Sequence, residues 1–418
     1  MKKSKLIFIA GLGTLFESFD FYLFSLFALA LNYSFFGSVN KHSVLWIFSI
    51  FAVGYLARIV GALVFGYWGD KLGRLYAFKR TVFLMGISSI TIGLLPTYES
   101  VGILAVVFLI VLRFIQGISY GGEETGATIV ILENYKKNLP LLILCISIMQ
   151  TIGIFLAKAT FSLLSYLLTT QQMMDYGWRI AYILGGFLIF HSYFARKEIA
   201  ESDEYKFVSQ KHKYKNPIHQ IISKYKQILL LSILCFCGLQ LYWGIFMIYL
   251  PNYALLRYGV NDIISMIYNI NVLGIFVGSI IGAIFSNLIN IRTVYTTGTI
   301  LTIMLLIPLK HILLNNSLSS INELYLLLFL VSLVIGATEV LCLLMLAKRF
   351  PVLSRYTLLS SAYAIGSFLF IGIPPFLFSY FTLETSMYYP ILVFGIGCVV
   401  QLIAVQIFYN KTEKYIEK

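Results

Sequence analysis

Runs of about twenty apolar residues recur along this chain from end to end, each long enough to cross roughly 30 Å of hydrocarbon as a helix. They centre on residues 6–34, 44–68, 81–96, 102–130, 140–168, 178–194, 228–250, 264–287, 293–313, 323–346, 356–380 and 388–409. A bilayer interior offers no water to backbone N–H and C=O groups, so each run has to satisfy them within itself. A cluster of buried soluble helices is the alternative, and composition argues against it. Hydrophobic residues make up 59% of the chain, charged residues 12%, and mean hydropathy is +0.86. The expected fold class is an all-α membrane protein of twelve transmembrane helices.

Lys2, Lys3 and Lys5 ahead of LIFIAGLGTLF have the make-up of a signal peptide, with Ala28, Leu29 and Ala30 as a cleavage site. Glu17 and Asp20 would interrupt its apolar region, so the run reads as a retained first span. An even number of spans puts both termini on one side. That side carries the N-terminal lysines, Lys71, Arg74, Lys79 and Arg80, Lys136 and Lys137, the basic stretch 196–226, Arg292, Lys348, Arg349, Arg355 and the C-terminal lysines. The opposite side has only Lys41, Arg257 and Lys310. Such an asymmetry places both termini in the cytoplasm. The net charge of +13 therefore reports topology, and no nucleic-acid partner is inferred from it. The five cysteines fall within spans, where they act as small apolar residues. Neither a metal nor any other cofactor is expected.

The long polar stretch at 195–227 divides the chain into a six-helix half, 1–194, a cytoplasmic linker, and a second six-helix half, 228–418. Two such halves are the layout of carriers built from parallel repeats. A faint internal echo supports it: Gly66, Asp70, Gly73 and Arg74 end the second span, and Gly282, Ser286, Ile289 and Asn290 hold the matching places after the eighth. In the first of these loops Gly66 lets helices approach closely, and Asp70 can pair with Arg74 or cap the next helix. The set reads as a latch that holds in one state and releases in another; the plainer reading is an ordinary basic loop.

Six segments, in order, resemble the major facilitator superfamily, and within it the metabolite–proton symporter group of proline/betaine, α-ketoglutarate, citrate and shikimate carriers. They are GTLFESFDFYLF (13–24), FAVGYLARIVGALVFGYWGDKLGR (51–74), GLLPTYESVG (93–102), LRFIQGISYGGE (112–123), YGWRIAYILGG (176–186) and RFPVLSRYTLLSSAYAIG (349–366). The resemblance implies a twelve-helix alternating-access carrier that takes up a small metabolite with protons, its cavity lined by the first, fourth, seventh and tenth spans. It departs from the group's pattern at Ser18, where a tryptophan is usual, and at Glu124, an added acid.

Charges within the spans are the candidate functional residues, since lipid tolerates them only where they are used or paired. Glu17 lies about 11 residues, roughly 16 Å, along the first span, near mid-membrane, and Asp20 shares its face. Arg113 in the fourth span reaches a comparable depth from the other side. Glu17 and Asp20 are expected to handle the proton, with Arg113 as counter-charge; a static ion pair is the bland reading. Glu123 takes the family's acid position and is expected to bond near Asp70 and Arg74. Arg113 and Glu124, eleven residues apart, fall at nearly one azimuth of a continuous helix. Arg58 is expected in a buried pair or the substrate cavity, Glu133 at a solvated helix end, Lys158 snorkelling or contacting substrate, and Arg179 anchoring at the membrane face. Gln240, Tyr242, Trp243 and Tyr249 in the seventh span, Asn269 and Asn271 in the eighth, and Glu339 in the tenth complete the cavity candidates.

The leading expectation is proton-driven import of an amino acid, betaine or organic acid by a monomer in a bacterial inner membrane, its partners being substrate, protons and lipid. Export by proton antiport and a transport-dead receptor stay open as alternatives. The fifth span, MQTIGIFLAKATF, lacks the proline of the Gly-Pro signature that the resemblance ties to drug antiporters. No Ser/His/Asp set, His-rich cluster or phosphate loop points to an enzyme.

Overall fold

The computed structural model describes residues 3–36, 41–197, 201–203, 205–207, 217–251, 261–315, 321–381 and 387–416. The regular structure among them is helical. The spans are α1 (Lys3–Leu26, carried on by Ala28–Phe36), α2 (Lys41–Lys71), α3 (Arg74–Gly93), α4 (Ile103–Tyr120 and Glu123–Asn134), α5 (Leu139–Leu167) and α6 (Trp178–Arg196). After the linker come α7 (Lys226–Cys235 and Cys237–Tyr249), α8 (Asn261–Leu288), α9 (Ile291–Asn315), α10 (Ile321–Arg349), α11 (Arg355–Ser367 and Ile373–Phe381) and α12 (Tyr388–Ile416). Nine described helices are long and apolar enough to span a bilayer, and α7, bent by 43°, makes a tenth. The remaining two, α3 and α6, are helical over 20 and 19 residues. Their mean hydropathy is diluted by Arg74, Lys79 and Arg80 in one and Arg179 and Arg196 in the other. Twelve helices result, as the apolar runs predict.

The contacts fall into two compact units. One comprises Met1–Asn134, Ile148–Ile218 and Val352–Ala364, the other Tyr135–Ser147, His219–Pro351 and Ile365–Lys418. In the first unit α2 packs on α4, and in the second α8 packs on α10, by the same device. The backbones close to distances that leave no room for a side chain: a Cβ on Gly61 or Gly121 would strike the opposite main chain, and so would one on Gly278, Gly282 or Gly336. Without a hydrophobic drive between helices in lipid, such close backbone contact is what holds them together.

Four of the described spans are interrupted, the first of them at Phe27. The fourth breaks at Gly121 and Gly122, whose Cα atoms lie against Ala62 and Phe65. The seventh bends by 43° at Phe236 and then carries a wide π-type turn at Trp243–Tyr249; the eleventh carries one at Phe368–Gly372, just ahead of Pro374 and Pro375.

Candidate functional site

Asp20, fully buried on α1, has a complete set of donors. Ser89 of α3 and Tyr120 of α4 each donate a hydroxyl to it, and Gln116 Nε2 donates to Oδ2 at 2.6 Å. Arg113 stands further off, with Nη1 3.9 Å from Oδ2. Its charge reaches Asp20 through the amide of Gln116, whose Oε1 accepts from Arg113 Nη1 at 2.9 Å. Arg113 Nη2 also donates to the Tyr182 hydroxyl of α6.

Glu17 belongs to a different pair. Its Oε1 lies 3.2 Å from Arg58 Nη2 of α2, and its other oxygen, though buried, has no hydrogen-bond partner among the described residues. The two acids share a face of α1, yet neighbouring helices offer each its own arginine. Arg113 is thus the counter-charge of Asp20 and not of Glu17. Arg58, expected in a buried pair, is in one, its guanidinium lying over the rings of Tyr55 and Tyr120 at 4.7 and 5.0 Å. Arg58, Tyr55 and Tyr120, with Arg113, border a cleft of ≈ 330 Å³, measured out to its open mouth, lined by α1, α2 and α4.

The second cluster surrounds Asp70 at the end of α2. Its carboxylate accepts from Arg74, from the backbone N–H groups of Tyr356 (3.2 Å) and Thr357 (2.9 Å), and from Thr357 Oγ1 (2.5 Å). An acid thus sits on the first free N–H groups of α11, where the helix dipole favours a negative charge. Gly66 makes the approach feasible, since a Cβ there would come within 2.7 Å of Thr357 Cα. Arg74 goes on to Glu133 (Nη2 to Oε1, 3.1 Å) and to the Val352 carbonyl (2.6 Å). Glu133 also takes Arg355 at 3.3 Å and Ser202 Oγ at 3.0 Å. It is therefore a buried anion among two arginines, correcting its expected place at a solvated helix end.

The linker adds to this cluster. Glu201 accepts the first N–H groups of α3, those of Arg74 and Leu75, each at 3.1 Å. Tyr205 donates to the Asp70 carbonyl at 3.0 Å, and its ring lies 4.8 Å beneath the Arg74 guanidinium. Burial pushes the Glu201 carboxyl above its ordinary range against the lowering pull of those two N–H groups and of Arg74. Burial likewise pushes the Tyr205 hydroxyl up to about 12. Gly73 turns the chain with φ 118°, a conformation open essentially to glycine, and a Cβ there would meet Glu201 Oε2 at 2.5 Å. Gly73→Ala is expected to cost about 1–3 kcal/mol, read as a lowered melting temperature of the purified protein.

Glu123 and Glu124 part company. Glu123 binds Arg196 of α6 and accepts from Thr81 Oγ1 at 2.6 Å, away from Asp70 and Arg74; the position expected for it there is held by Glu133. Glu124 accepts from the Tyr363 hydroxyl at 2.6 Å. Arg179 donates to the Gly93 carbonyl at 3.2 Å and to that of Leu95, closing the end of α3.

In the second unit Trp243 Nε1 donates to Glu339 Oε1 at 2.7 Å, the Tyr242 hydroxyl to Asn271 Oδ1 at 3.1 Å, and Gln240 Nε2 to Ser367 Oγ at 2.9 Å. Tyr249 packs against Phe378. Tyr242 is fully buried, while Trp243 and Glu339 stay partly exposed and are the better placed to meet a solute. Lys158 is partly buried on α5 and does not line the cleft.

Sequence reasoning passed over Gln116, Ser89, Tyr182, Arg196, Thr357 and Glu201. Gln116 and Thr357 lie inside segments already singled out, but their partners are 96 and 287 residues away.

Residues 10–351 match the family model of the Major Facilitator Superfamily. The chain belongs to that superfamily. Its members are transporters and not enzymes, and this one is an integral membrane protein of twelve helices. It is 33% identical to the inner membrane metabolite transport protein YhjE of Escherichia coli over 55% of this chain and 53% of that one. It is 35% identical to a putative proline/betaine transporter of Staphylococcus haemolyticus (48% of this chain, 44% of that one), and 34% identical to the shikimate transporter of E. coli (48% and 46%). The chain thus spans about half the length of the curated relatives it matches. Among solved structures, the proton:xylose symporter XylE bound to 6-bromo-6-deoxy-D-glucose superposes with a TM-score of 0.82 over 97% of this chain and 95% of that one. At 14% identity that likeness shows the fold alone.

Proposed function

We propose that this chain is a secondary active transporter that imports a small polar metabolite, an amino acid, betaine or organic acid, together with protons by alternating access. The observation that carries the reading is the pair of buried carboxylates on α1, each with its own arginine on a neighbouring helix. A buried acid and a buried base that part in one conformation and meet in another bind and release a proton as they do so. The names of the metabolite, proline/betaine and shikimate carriers among its relatives support the substrate class. The Asp70 cluster, set among the ends of α2, α3 and α4 and the start of α11, is the latch of the cycle. The protein acts as a monomer, both termini in the cytoplasm of a bacterial cell.

The test is uptake by proteoliposomes of a labelled panel of amino acids, betaines and di- and tricarboxylates, with and without an inward proton gradient. Gradient-dependent accumulation of one compound is expected. Equilibration indifferent to the gradient would make the carrier a facilitator and the buried acids structural. Glu17→Gln is expected to lower accumulation at least about tenfold while counterflow exchange persists, because a neutral amide keeps the shape but carries no titrating proton. Equal loss of both activities would remove the coupling role.

A further inference from the structure

We propose that the cleft between Arg58 and Arg113 is a carboxylate subsite, which takes an organic anion or zwitterion by its carboxylate and packs the rest of it against Phe21, Phe24, Phe51 and Tyr55. The inference rests on the transport reading above and deepens it by naming the group the carrier recognises.

Both guanidiniums border this one cleft and both are more than nine-tenths buried, Arg58 at 7% and Arg113 at 6% exposure. Neither uses up its donors. A guanidinium carries five N–H groups. Among the described residues Arg58 has a single ionic contact, to Glu17, and otherwise faces the rings of Phe21, Tyr55 and Tyr120. Arg113 directs Nη1 to Gln116 and Nη2 to Tyr182, and its Nε is buried without a partner among the described residues.

The acids nearby do not supply the missing acceptors. Asp20 is occupied by Ser89, Gln116 and Tyr120, and neither Asp20 nor Glu17 lines the cleft. Among the described residues the lining therefore presents two cations and no carboxylate. Buried donors of this kind call for a planar anion that accepts two N–H groups at once. A Cβ built on Gly54, in the cleft wall, meets nothing within 4 Å, so that wall is open to a solute.

The arrangement also ties binding to protonation. A substrate carboxylate on Arg58 competes with Glu17, and a proton on Glu17 removes the competitor. The charged and titratable groups facing Glu17 are Arg58 and Tyr55 of α2, Tyr120, Glu123 and Glu124 of α4 and Arg196 of α6, with Asp20 on its own helix. By linkage, bound substrate then favours proton uptake as much as the proton favours substrate.

The test is titration calorimetry on the purified full chain with L-proline, glycine betaine and shikimate, each against its carboxylate-free counterpart: pyrrolidine, choline and shikimate methyl ester. At least one carboxylate is expected to bind, more tightly as pH falls, and at least about tenfold better than its counterpart. Arg58→Gln is expected to weaken it by about 10- to 100-fold. Because that change strands Glu17, the double variant Glu17→Gln/Arg58→Gln is measured beside it and is expected to show the same loss. Gly54→Leu, which fills the cleft and touches neither ion pair, is expected to abolish binding with an unchanged melting temperature. Glu17→Gln alone should bind without the pH dependence. Equal affinity for the counterparts, binding indifferent to Arg58 in both variants, or no binding by any of the three carboxylates would overturn the subsite. Carboxylate binding with gradient-indifferent uptake overturns proton coupling and leaves the subsite standing; gradient-driven uptake with Arg58-independent binding does the reverse.

Discussion

Asp20→Asn is expected to lower proton-driven accumulation by about 100-fold or more, the largest loss of any single change in the α1–α4 region. An ionised carboxylate accepts hydrogen bonds and donates none, and the surroundings of Asp20 are all donors: two hydroxyls, an amide N–H and, behind it, Arg113. An asparagine turns one acceptor into an NH₂ group facing Tyr120 and Gln116 or facing Ser89, and it strands the arginine. Removing one partner of a buried pair costs about 3–5 kcal/mol, which at 1.4 kcal/mol per decade is more than a hundredfold in any equilibrium that depends on it. The comparison to make is accumulation under an imposed gradient against counterflow exchange, in the same proteoliposomes, with the melting temperature of the purified variant as a control. Loss confined to accumulation would place Asp20 in coupling. Equal loss of both, with a lowered melting temperature, would make it a packing anion.

Asp70→Asn is expected to slow transport about tenfold while KM stays within about twofold. Asp70 accepts four donors, three of them from Tyr356 and Thr357 at the start of α11. The amide keeps one good acceptor and turns N–H groups toward the N–H groups of the helix, losing both the charge–dipole attraction and hydrogen bonds to a charged group, about 1.5–3 kcal/mol each. None of these groups lines the cleft, so substrate affinity should change little while the conformational step changes much. Thr357→Val removes one donor only and should produce a smaller slowing in the same direction. Initial rates against substrate concentration separate the cases: a rise in KM beyond about tenfold would argue against a latch.

Some of this was legible from the residues. The apolar runs gave the spans, including α3 and α6, which are too polar at their ends to stand out by hydropathy. GYWGDKLGR announced a tight charged turn, and the Asp70–Arg74 pair spans that turn, from the end of α2 to the start of α3, within reach of local reasoning. Glu17, Asp20 and Arg113 announced themselves as charges at membrane depth. Their partners did not. Residues 17 and 20 point the same way along α1, and nothing in their spacing says that α2 delivers Arg58 to the first while α4 delivers Gln116 and Arg113 to the second. Glu133 looked like a helix end in water because its partners, Arg74, Arg355 and Ser202, come from three other parts of the chain.

The sequence by itself determined that this protein is a set of membrane helices and roughly where each lies. In hydrocarbon every backbone group must be satisfied within its own helix, so span limits follow from local composition. Tertiary structure alone decided which buried charge meets which. A buried ion is stabilised only by a counter-charge or donor within a few ångströms. At Asp20, Glu17, Asp70 and Glu133 those neighbours arrive chiefly from other helices, brought there by glycine contacts and helix breaks that act between segments far apart in the chain.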